Sequence, residues 1–182
     1  LMPNTNSSTI KVQKRDGRLE DLDINKIHFV VEEACEGLAG VSSSQIEMNA
    51  NIQFYDGMTT KDIQNVLVRS ANDLISLETP NYQYVAARLL LFSLRKSLNR
   101  KLWDHPHIYD HTKKCIELGL YDKDLLKWYD KRDWDRMEQW IVHERDYDFT
   151  YAGLRQVIDK YLVQDRSTGQ IYETPQFMYM LI

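Results

Sequence analysis

Apolar residues recur at three- and four-residue spacing along much of this chain, and this periodicity constrains the fold more than any other feature. One such stripe follows the capping residue Asp23 and consists of Ile27, Val30, Val31, Ala34 and Leu38. Three further helices are predicted, from Ser42 to about Asn51, from Thr59 to Leu74 and from Tyr82 to about Lys96. Because four such helices can bury one core, we expect a compact domain over residues 1–98.

Two short segments before the first helix predict a β-hairpin. Residues 9–14 alternate between polar and apolar, residues 18–22 do so more weakly, and Asp16-Gly17 lies between them as a tight turn. The short apolar piece from Ile52 to Tyr55, before Asp56-Gly57, is a candidate third strand. The expected fold class is therefore mainly α, a four-helix bundle capped by a small β-sheet.

Residues 99–182 differ in composition, since they contain all four tryptophans. Helices are predicted over about residues 108–118, 123–129, 133–142 and 151–162, followed by a hairpin over residues 162–172 with its turn at Ser167-Thr168-Gly169. At an acidic net charge we interpret the tryptophans as core residues and not as a stacking surface for bases. The charge run from Glu144 to Asp148 is typical of a solvated loop.

Composition excludes several classes of function. A net charge of −4 argues against a nucleic-acid-binding face. Neither an apolar run of about 20 residues nor a signal peptide is present, so we expect a cytoplasmic protein with no membrane contact. Cys35 and Cys115 lack C-x-x-C spacing and are predicted core residues. Because residues 177–182 form an uncapped apolar run, we also expect the chain to be the front part of a longer protein.

Three histidines form an H-x-H-x-x-x-H cluster, and two histidines four residues apart on a helix can bind one metal ion. These residues are His105, His107 and His111. No cysteine or second acidic ligand lies beside them at suitable spacing. We therefore predict ordinary surface or capping histidines and no metal site.

The hairpin and the helix after it contain the candidate site of the chain. Lys14, Arg15 and Lys26 supply positive charge for phosphates, and the Glu20 carboxylate with local backbone groups can hydrogen-bond a base. A hydroxyl and free amides at Thr60, and a cation at Lys96, extend the predicted nucleotide pocket. Neither a G-x-x-x-x-G-K-[ST] nor a G-x-G-x-x-G motif is present. The alternative is a solvated hairpin with ordinary surface charge.

Several segments resemble a known family over nearly the whole chain. In the first half they are Val12-x-Lys14-Arg15-Asp16-Gly17, Lys26-Ile27, Tyr55-Asp56-Gly57-Met58-Thr59-Thr60-x-Asp62-Ile63 and Tyr82-Gln83-Tyr84-Val85-Ala86-Ala87-Arg88-Leu89. In the second half they are His143-Glu144-Arg145-Asp146, Tyr161-Leu162-Val163-Gln164 and residues 168–177. The first set is similar to the ATP-cone, and the second to the helical approach to the barrel, of the large (alpha) subunit of aerobic (class Ia) ribonucleoside-diphosphate reductase.

The resemblance implies an ATP-cone over residues 1–98 and, over residues 99–182, a helical segment and β-hairpin leading into an α/β barrel that this chain lacks. It implies an allosteric site at which ATP, with Mg²⁺, activates and dATP inhibits. The residues carried over are Lys14 and Arg15 for phosphates, Glu20 with the backbone of Asp21, Leu22, Asp23, Ile24 and Asn25 for adenine and ribose, and Lys26, Thr60 and Lys96 for the remaining phosphate contacts. The family pattern has Asn at Asp23 and often His at Gln64, and both changes bear on the strength of dATP inhibition.

The same resemblance implies partners and a reaction. The parent enzyme would reduce ribonucleoside diphosphates as a homodimer of large subunits together with a small (beta), radical-bearing subunit. This chain contains none of the catalytic residues and should bind nucleotide without turning over substrate or using a cofactor in chemistry. Two other readings are an ATP-cone transcriptional repressor, which would carry paired C-x-x-C motifs before the cone, and a helical interaction module without a ligand.

Overall fold

A computed structural model describes residues 9–99 and 101–182. The chain divides into two compact units between Leu90 and Leu91. This boundary lies inside one continuous helix, Tyr82–Asn99, so that helix contributes residues to both units. The fold is mainly helical with a small sheet, which confirms the predicted class.

The first unit is built from a three-stranded sheet and helices. Its elements are β1 (Lys11–Gln13), β2 (Leu19–Asp21), α1 (Ile24–Cys35), α2 (Ser43–Asn51), β3 (Met58–Thr59), α3 (Thr60–Asn72) and the first part of α4 (Tyr82–Asn99). Strand β1 lies in the middle of the sheet, antiparallel to β2 and parallel to β3. Gly17 has a φ of 86° in the turn between β1 and β2, a conformation that glycine adopts without strain.

Side-chain caps explain where the helices of the first unit begin. Asp23 accepts from backbone amides at the start of α1, Ser42 does so for α2, and Thr59 forms a reciprocal capping box with Asp62 at α3. The buried faces are the stripes expected from the sequence, and the central residues are Val31, Ala34, Ile46, Ala50 and Leu67. Arg88 on α4 donates to the carbonyls of Ala34 and Glu36, which satisfies acceptors at the end of α1.

The prediction of a third strand at Ile52–Tyr55 is wrong, because the third strand follows the Asp56-Gly57 turn. The Asp56 carboxylate accepts from the Lys11 amide at 2.7 Å, and the Gly57 amide donates to the Lys11 carbonyl at 2.8 Å. These two bonds bring the residues after the turn into the sheet. Ile52, at the end of α2, is 85% exposed.

The second unit contains the rest of α4 and a series of short elements. These are α5 (Ile108–Glu117), α6 (Leu125–Trp128), α7 (Lys131–Trp140), a 3₁₀ helix (His143–Asp148), α8 (Tyr151–Lys160), β4 (Gln164–Asp165), β5 (Gln170–Ile171) and α9 (Pro175–Leu181). Strands β4 and β5 pair antiparallel, which confirms the predicted hairpin and its turn. One apolar cluster joins Ile108, Trp134 and Phe177.

Two interpretations of the second half are wrong in part. The charged segment Glu144–Asp148 is not a solvated loop, because it lies within the 3₁₀ helix and its Asp146 is buried. Of the tryptophans, only Trp134 is a core residue. The other three are more than half exposed, and they are Trp103, Trp128 and Trp140.

The histidines are more buried than expected. His107 accepts from the Tyr109 amide and caps α5, as predicted. His111 is buried, lies 3.0 Å from the Tyr121 hydroxyl and stacks on Phe177, so the prediction of a surface or capping role is wrong for it. His105 is half-buried. Within residues 9–99 and 101–182, no group of three or more His, Cys, Asp or Glu side chains is arranged to hold a metal ion.

Both cysteines are free thiols, and Cys115 is the core residue of the two. Cys115 is buried and Cys35 half-buried, and burial raises the pKa of each thiol to about 11. Both therefore remain protonated thiols at neutral pH. None of the described helices has the length and apolar character needed to cross a membrane.

Candidate nucleotide site

Lys14 and Glu20 occupy the sheet face that points toward the core of the first unit. Glu20 lies directly opposite the buried Val12 in the antiparallel pair, and directly opposite residues project to the same face. Lys14 follows Val12 by two residues and, by strand alternation, shares its side. The Lys14 ammonium is 3.2 Å from a Glu20 carboxylate oxygen.

The opposite sheet face carries a different ion pair. Lys11 and Asp21 lie directly across from each other, and their side chains form a salt bridge in solvent. Asp21 can therefore contribute its backbone to a site near Glu20, while its side chain is engaged on the other face. Leu19 is also exposed on that face.

The hairpin turn contains a further cation that sequence reasoning missed. The Arg18 guanidinium is 2.7 Å from the Asp16 carboxylate and 3.6 Å from Glu20, so Glu20 lies between Lys14 and Arg18. The neighbouring arginine holds the pKa of Asp16 below its usual value. Arg15 is exposed in the same turn. The position of Arg18 in the sequence could have indicated this cation, because the residue at the start of the second strand of a hairpin lies beside the end of the first strand.

The N-terminus of α1 lies at the beginning of β1. The Leu22 amide donates to the Ile10 carbonyl, and α1 begins two residues later. The Asp23 carboxylate accepts from the amides of Asn25 and Lys26 at 3.1 and 3.3 Å. The Lys26 ammonium is 3.7 Å from the same carboxylate. Asp23 thus caps α1, a role for which Asp and Asn are about equally suited.

The N-terminus of α3 lies at the other end of β1. Gln13 is paired with Thr59 in parallel register. The next residues along the two segments, Lys14 and Thr60, therefore lie beside each other. The first residue of α3 is Thr60, which is half-buried. One turn further along the helix, the side-chain oxygen of Gln64 is buried and has no hydrogen-bond partner among the described residues. Lys14, Thr60 and Gln64 therefore lie on adjoining elements of the first unit.

The predicted site residues fall into two groups. Those on the hairpin, at the start of α1 and at the start of α3 all belong to the first unit, where β1 joins them through its two neighbouring strands. Lys96 belongs to the second unit, near the end of α4. Its participation in the site stays a prediction. Ile24, the first residue of α1, is 52% exposed.

The chain is similar to known proteins over most of its length. Residues 10–97 match the ATP cone domain. Ribonucleoside-diphosphate reductase 1 subunit alpha of Salmonella typhimurium is 47% identical over 176 residues, which are 97% of this chain and 23% of that protein. The corresponding subunit of Escherichia coli is 46% identical over the same shares of both chains.

A viral relative is similar to the same extent. The ribonucleoside-diphosphate reductase subunit alpha of Enterobacteria phage T4 is 45% identical over 175 residues, 95% of this chain and 23% of that protein. This chain thus spans about a quarter of the length of the curated relatives it matches, and the match lies in their N-terminal region. Over 97% of its length the chain is therefore similar to the N-terminal region of ribonucleoside-diphosphate reductase alpha subunits, and its residues 10–97 match the ATP cone domain.

Proposed function

We propose that the first unit binds an adenine nucleotide and acts as a regulatory region of a ribonucleoside-diphosphate reductase. The observation that carries the proposal is the position of the Lys14–Glu20 pair. Both side chains project from the core-facing side of the sheet, and a helix N-terminus lies at each end of the central strand. Free backbone amides at helix N-termini and nearby lysines are a common way to bind phosphates.

The groups divide between phosphate and base. Lys14, Arg15, Lys26, Thr60 and Lys96 would contact the triphosphate and its Mg²⁺, as donors or counter-charges. Glu20, with the backbone of residues 21–25, would accept from the adenine amino group and hydrogen-bond the ribose. Lys14 and Glu20 are 32% and 43% exposed, so the pair contributes little to stability, and its charges can exchange partners at small cost.

The adenine nucleotides would have opposite effects, ATP permitting turnover and dATP suppressing it. Gln64 supplies an acceptor and a neutral amide at the third helix, where a histidine would supply positive charge. The proposal is therefore that this chain binds both nucleotides and that dATP inhibition is weaker than with a cation at this position. The side-chain oxygen of Gln64 is buried and has no hydrogen-bond partner among the described residues, and a ligand hydroxyl would supply one.

The larger assembly is part of the proposal. The chain would act within an alpha-subunit homodimer that works with a radical-bearing beta subunit in the cytoplasm, reducing ribonucleoside diphosphates to deoxyribonucleotides. Its relatives are about four times longer than this chain, and their names give the reductase activity. The expected role of these 182 residues is control of that activity by nucleotide binding.

A thermal-shift titration with ATP, dATP and GTP tests the proposal, using the wild type, Lys14→Ala and the control Lys113→Ala. The control removes one exposed lysine from α5, in the second unit. A ligand that binds only the folded state, at about 100 times its dissociation constant, stabilises it by roughly 2.7 kcal/mol. We expect ATP and dATP to stabilise the wild type and the control, and Lys14→Ala to lose the shift.

Two results would contradict the proposal. Equal stabilisation of the wild type and Lys14→Ala would place the nucleotide elsewhere. If millimolar concentrations of all three nucleotides leave the melting temperature of the wild type unchanged, the first unit is a helical module without this ligand.

A further inference from the structure

Helix α4 is shared by the two compact units. Its residues 82–90 belong to the first unit and its residues 91–99 to the second. A ligand that displaces the first part of α4 can therefore act, along the same helix, on backbone that belongs to the second unit. Arg95, which is only 2% exposed, is a charged side chain that anchors α4 inside the second unit.

Arg95 contacts two segments that follow α4 in the sequence. Its Nη1 donates to the Leu102 carbonyl at 3.3 Å, and its Nη2 donates to the His143 carbonyl at 3.0 Å. The Tyr147 hydroxyl is 3.4 Å away, and the guanidinium carbon lies 5.3 Å from the centroid of the Tyr147 ring. The Asp146 carboxylate lies 3.7 Å from Nη2 of the same guanidinium.

The connection continues from Asp146 to the last helix. Its Oδ1 accepts from the Gln176 side-chain amide at 2.8 Å, and Gln176 belongs to α9. The 3₁₀ helix that carries Asp146 therefore links α4 to α9. Because a planar guanidinium satisfies several acceptors in fixed directions, α4 cannot rotate without breaking several of these bonds together. Such an element favours discrete arrangements over gradual displacement.

We propose that Arg95 is a positioning residue that transmits the nucleotide state of the first unit to the 3₁₀ helix and α9 of the second. The inference rests on the proposed function, since it requires a nucleotide in the first unit. Lys96, the neighbour of Arg95, is the one predicted nucleotide contact outside that unit. A nucleotide contact at Lys96 would act on the turn of α4 that Arg95 anchors.

The tryptophans make the proposal testable with the whole chain. All four lie in the second unit, at positions 103, 128, 134 and 140, so tryptophan emission reports on that unit alone. Trp103 directly follows Leu102, whose carbonyl accepts from Arg95. Emission excited at a wavelength that nucleotides do not absorb is recorded during ATP titration, and binding is measured in parallel by calorimetry.

The test variant is Arg95→Lys, and the matched control is Arg155→Lys. Lysine retains the charge beside Asp146 but cannot reach the same set of acceptors. Arg155 is a half-exposed residue of α8 that pairs with Asp159 one turn away. We expect ATP to change the tryptophan emission of the wild type and the control. The midpoint of this change should match the dissociation constant measured by calorimetry. Arg95→Lys should bind ATP with similar affinity and lose most of the emission change.

Each other outcome overturns the inference. ATP binding without an emission change in the wild type would show no transmission, and a full change in Arg95→Lys would show that Arg95 is not required. If calorimetry detects no ATP binding to the wild type, the proposed function itself is refuted and this inference with it. If Arg95→Lys does not fold, Arg95→Met combined with Asp146→Leu removes both charges together, a replacement that proteins often tolerate, and the same criteria apply.

Discussion

The guanidinium of Arg95 lies 3.7 Å from the carboxylate of Asp146, and the two side chains are 2% and 0% exposed. Burial raises the pKa of Asp146 to about 6, although hydrogen bonding from Gln176 and the charge of Arg95 both favour ionisation. At neutral pH the pair is therefore ionised and inside the protein. Taking both charges out of water has a large cost, which makes the pair sensitive to loss of either partner.

Removal of the carboxylate should destabilise the chain strongly. In Asp146→Ala the guanidinium of Arg95 stays buried without its counter-charge, and breaking a buried pair in this way costs about 3–5 kcal/mol. Urea denaturation at pH 7 measures the change in the free energy of unfolding. The control is Asp159→Ala, which breaks an exposed pair with Arg155 and should cost less than about 1 kcal/mol. Similar costs for the two variants would contradict the importance of burial.

The side chain of Glu20 should select the base without supporting the fold. Glu20→Ala removes the proposed acceptor for the adenine amino group, and a hydrogen bond to a charged group contributes about 1.5–3 kcal/mol. Wild type should therefore prefer ATP over inosine triphosphate, which lacks that amino group, and the variant should bind both with similar affinity. Calorimetric titrations with the two nucleotides measure this ratio.

The control for base selection is Asp21→Ala, on the neighbouring residue of β2. Its carboxylate pairs with Lys11 on the opposite sheet face, so its loss should leave the preference for ATP unchanged. In the absence of nucleotide, both variants should remain within about 1 kcal/mol of wild type, because their ion pairs are exposed. An unaltered ATP preference in Glu20→Ala would assign base recognition to the backbone alone.

Thr59 and Thr60 are adjacent, and we expect their replacements to have different effects. Thr59 accepts from the Asp62 amide and caps α3, so Thr59→Ala should lower the free energy of unfolding by about 1 kcal/mol. Thr60 is the first residue inside the helix, and Thr60→Ala should change stability by less than about 0.5 kcal/mol. Its effect should instead be weaker nucleotide binding. A comparison of chemical denaturation with ATP titration separates the two effects.

Local signals in the sequence were sufficient for most of the first unit. Asp16-Gly17 fixed the hairpin turn, and the caps at Asp23, Ser42 and Thr59 marked the beginnings of three helices. These features were predictable because each depends on residues within a few positions of one another. Asp56-Gly57 was recognised as a turn, but its bonds to Lys11 are long-range, so the third strand was placed on the wrong side of it.

The features that could not be predicted depend on pairing between distant residues. Arg95 has the local signature of a cation at a helix C-terminus, and Asp146 lies in a charge run that resembles a solvated loop. The local sequence around each residue does not indicate that the two side chains are buried together. Trp134 and Trp140 are on the same helix, yet only Trp134 contacts the apolar cluster around Ile108 and Phe177. Which face of a short helix is buried depends on its neighbours.

Acid should destabilise the chain through the buried His111 and the half-buried His105. Burial lowers the pKa of His111 to about 4, and burial with the charges of His143 and Arg95 lowers the pKa of His105 to about 3. An unfolded histidine titrates near 6.5, so between pH 6.5 and 4 the unfolded state binds more protons than the folded state. The stabilising effect of neutral His111, about 3 kcal/mol, is complete above pH 6.5 and is lost as the pH falls toward 4.

Two buried carboxyl groups oppose this trend. Burial raises the pKa of Glu173, as it does that of Asp146, so the folded state retains protons on these groups and their contribution decreases as the pH rises. The pKa values of His105 and His111 are shifted further than that of Asp146, so the net slope should follow the histidines. Urea denaturation of the wild type between pH 7 and 4 should show a falling free energy of unfolding, with a shallower slope in His111→Gln.

The exposed His28 provides a control of opposite sign. A hydrogen bond to Glu47 raises the pKa of His28. The contribution of this histidine to the free energy of unfolding therefore increases as the pH falls below 7. His28→Gln should therefore show a steeper loss of stability in acid than the wild type, while His111→Gln shows a shallower one. Parallel slopes for the wild type and His111→Gln would mean that the imidazole of His111 titrates normally in the folded protein, and the acid sensitivity would then have to come from other groups.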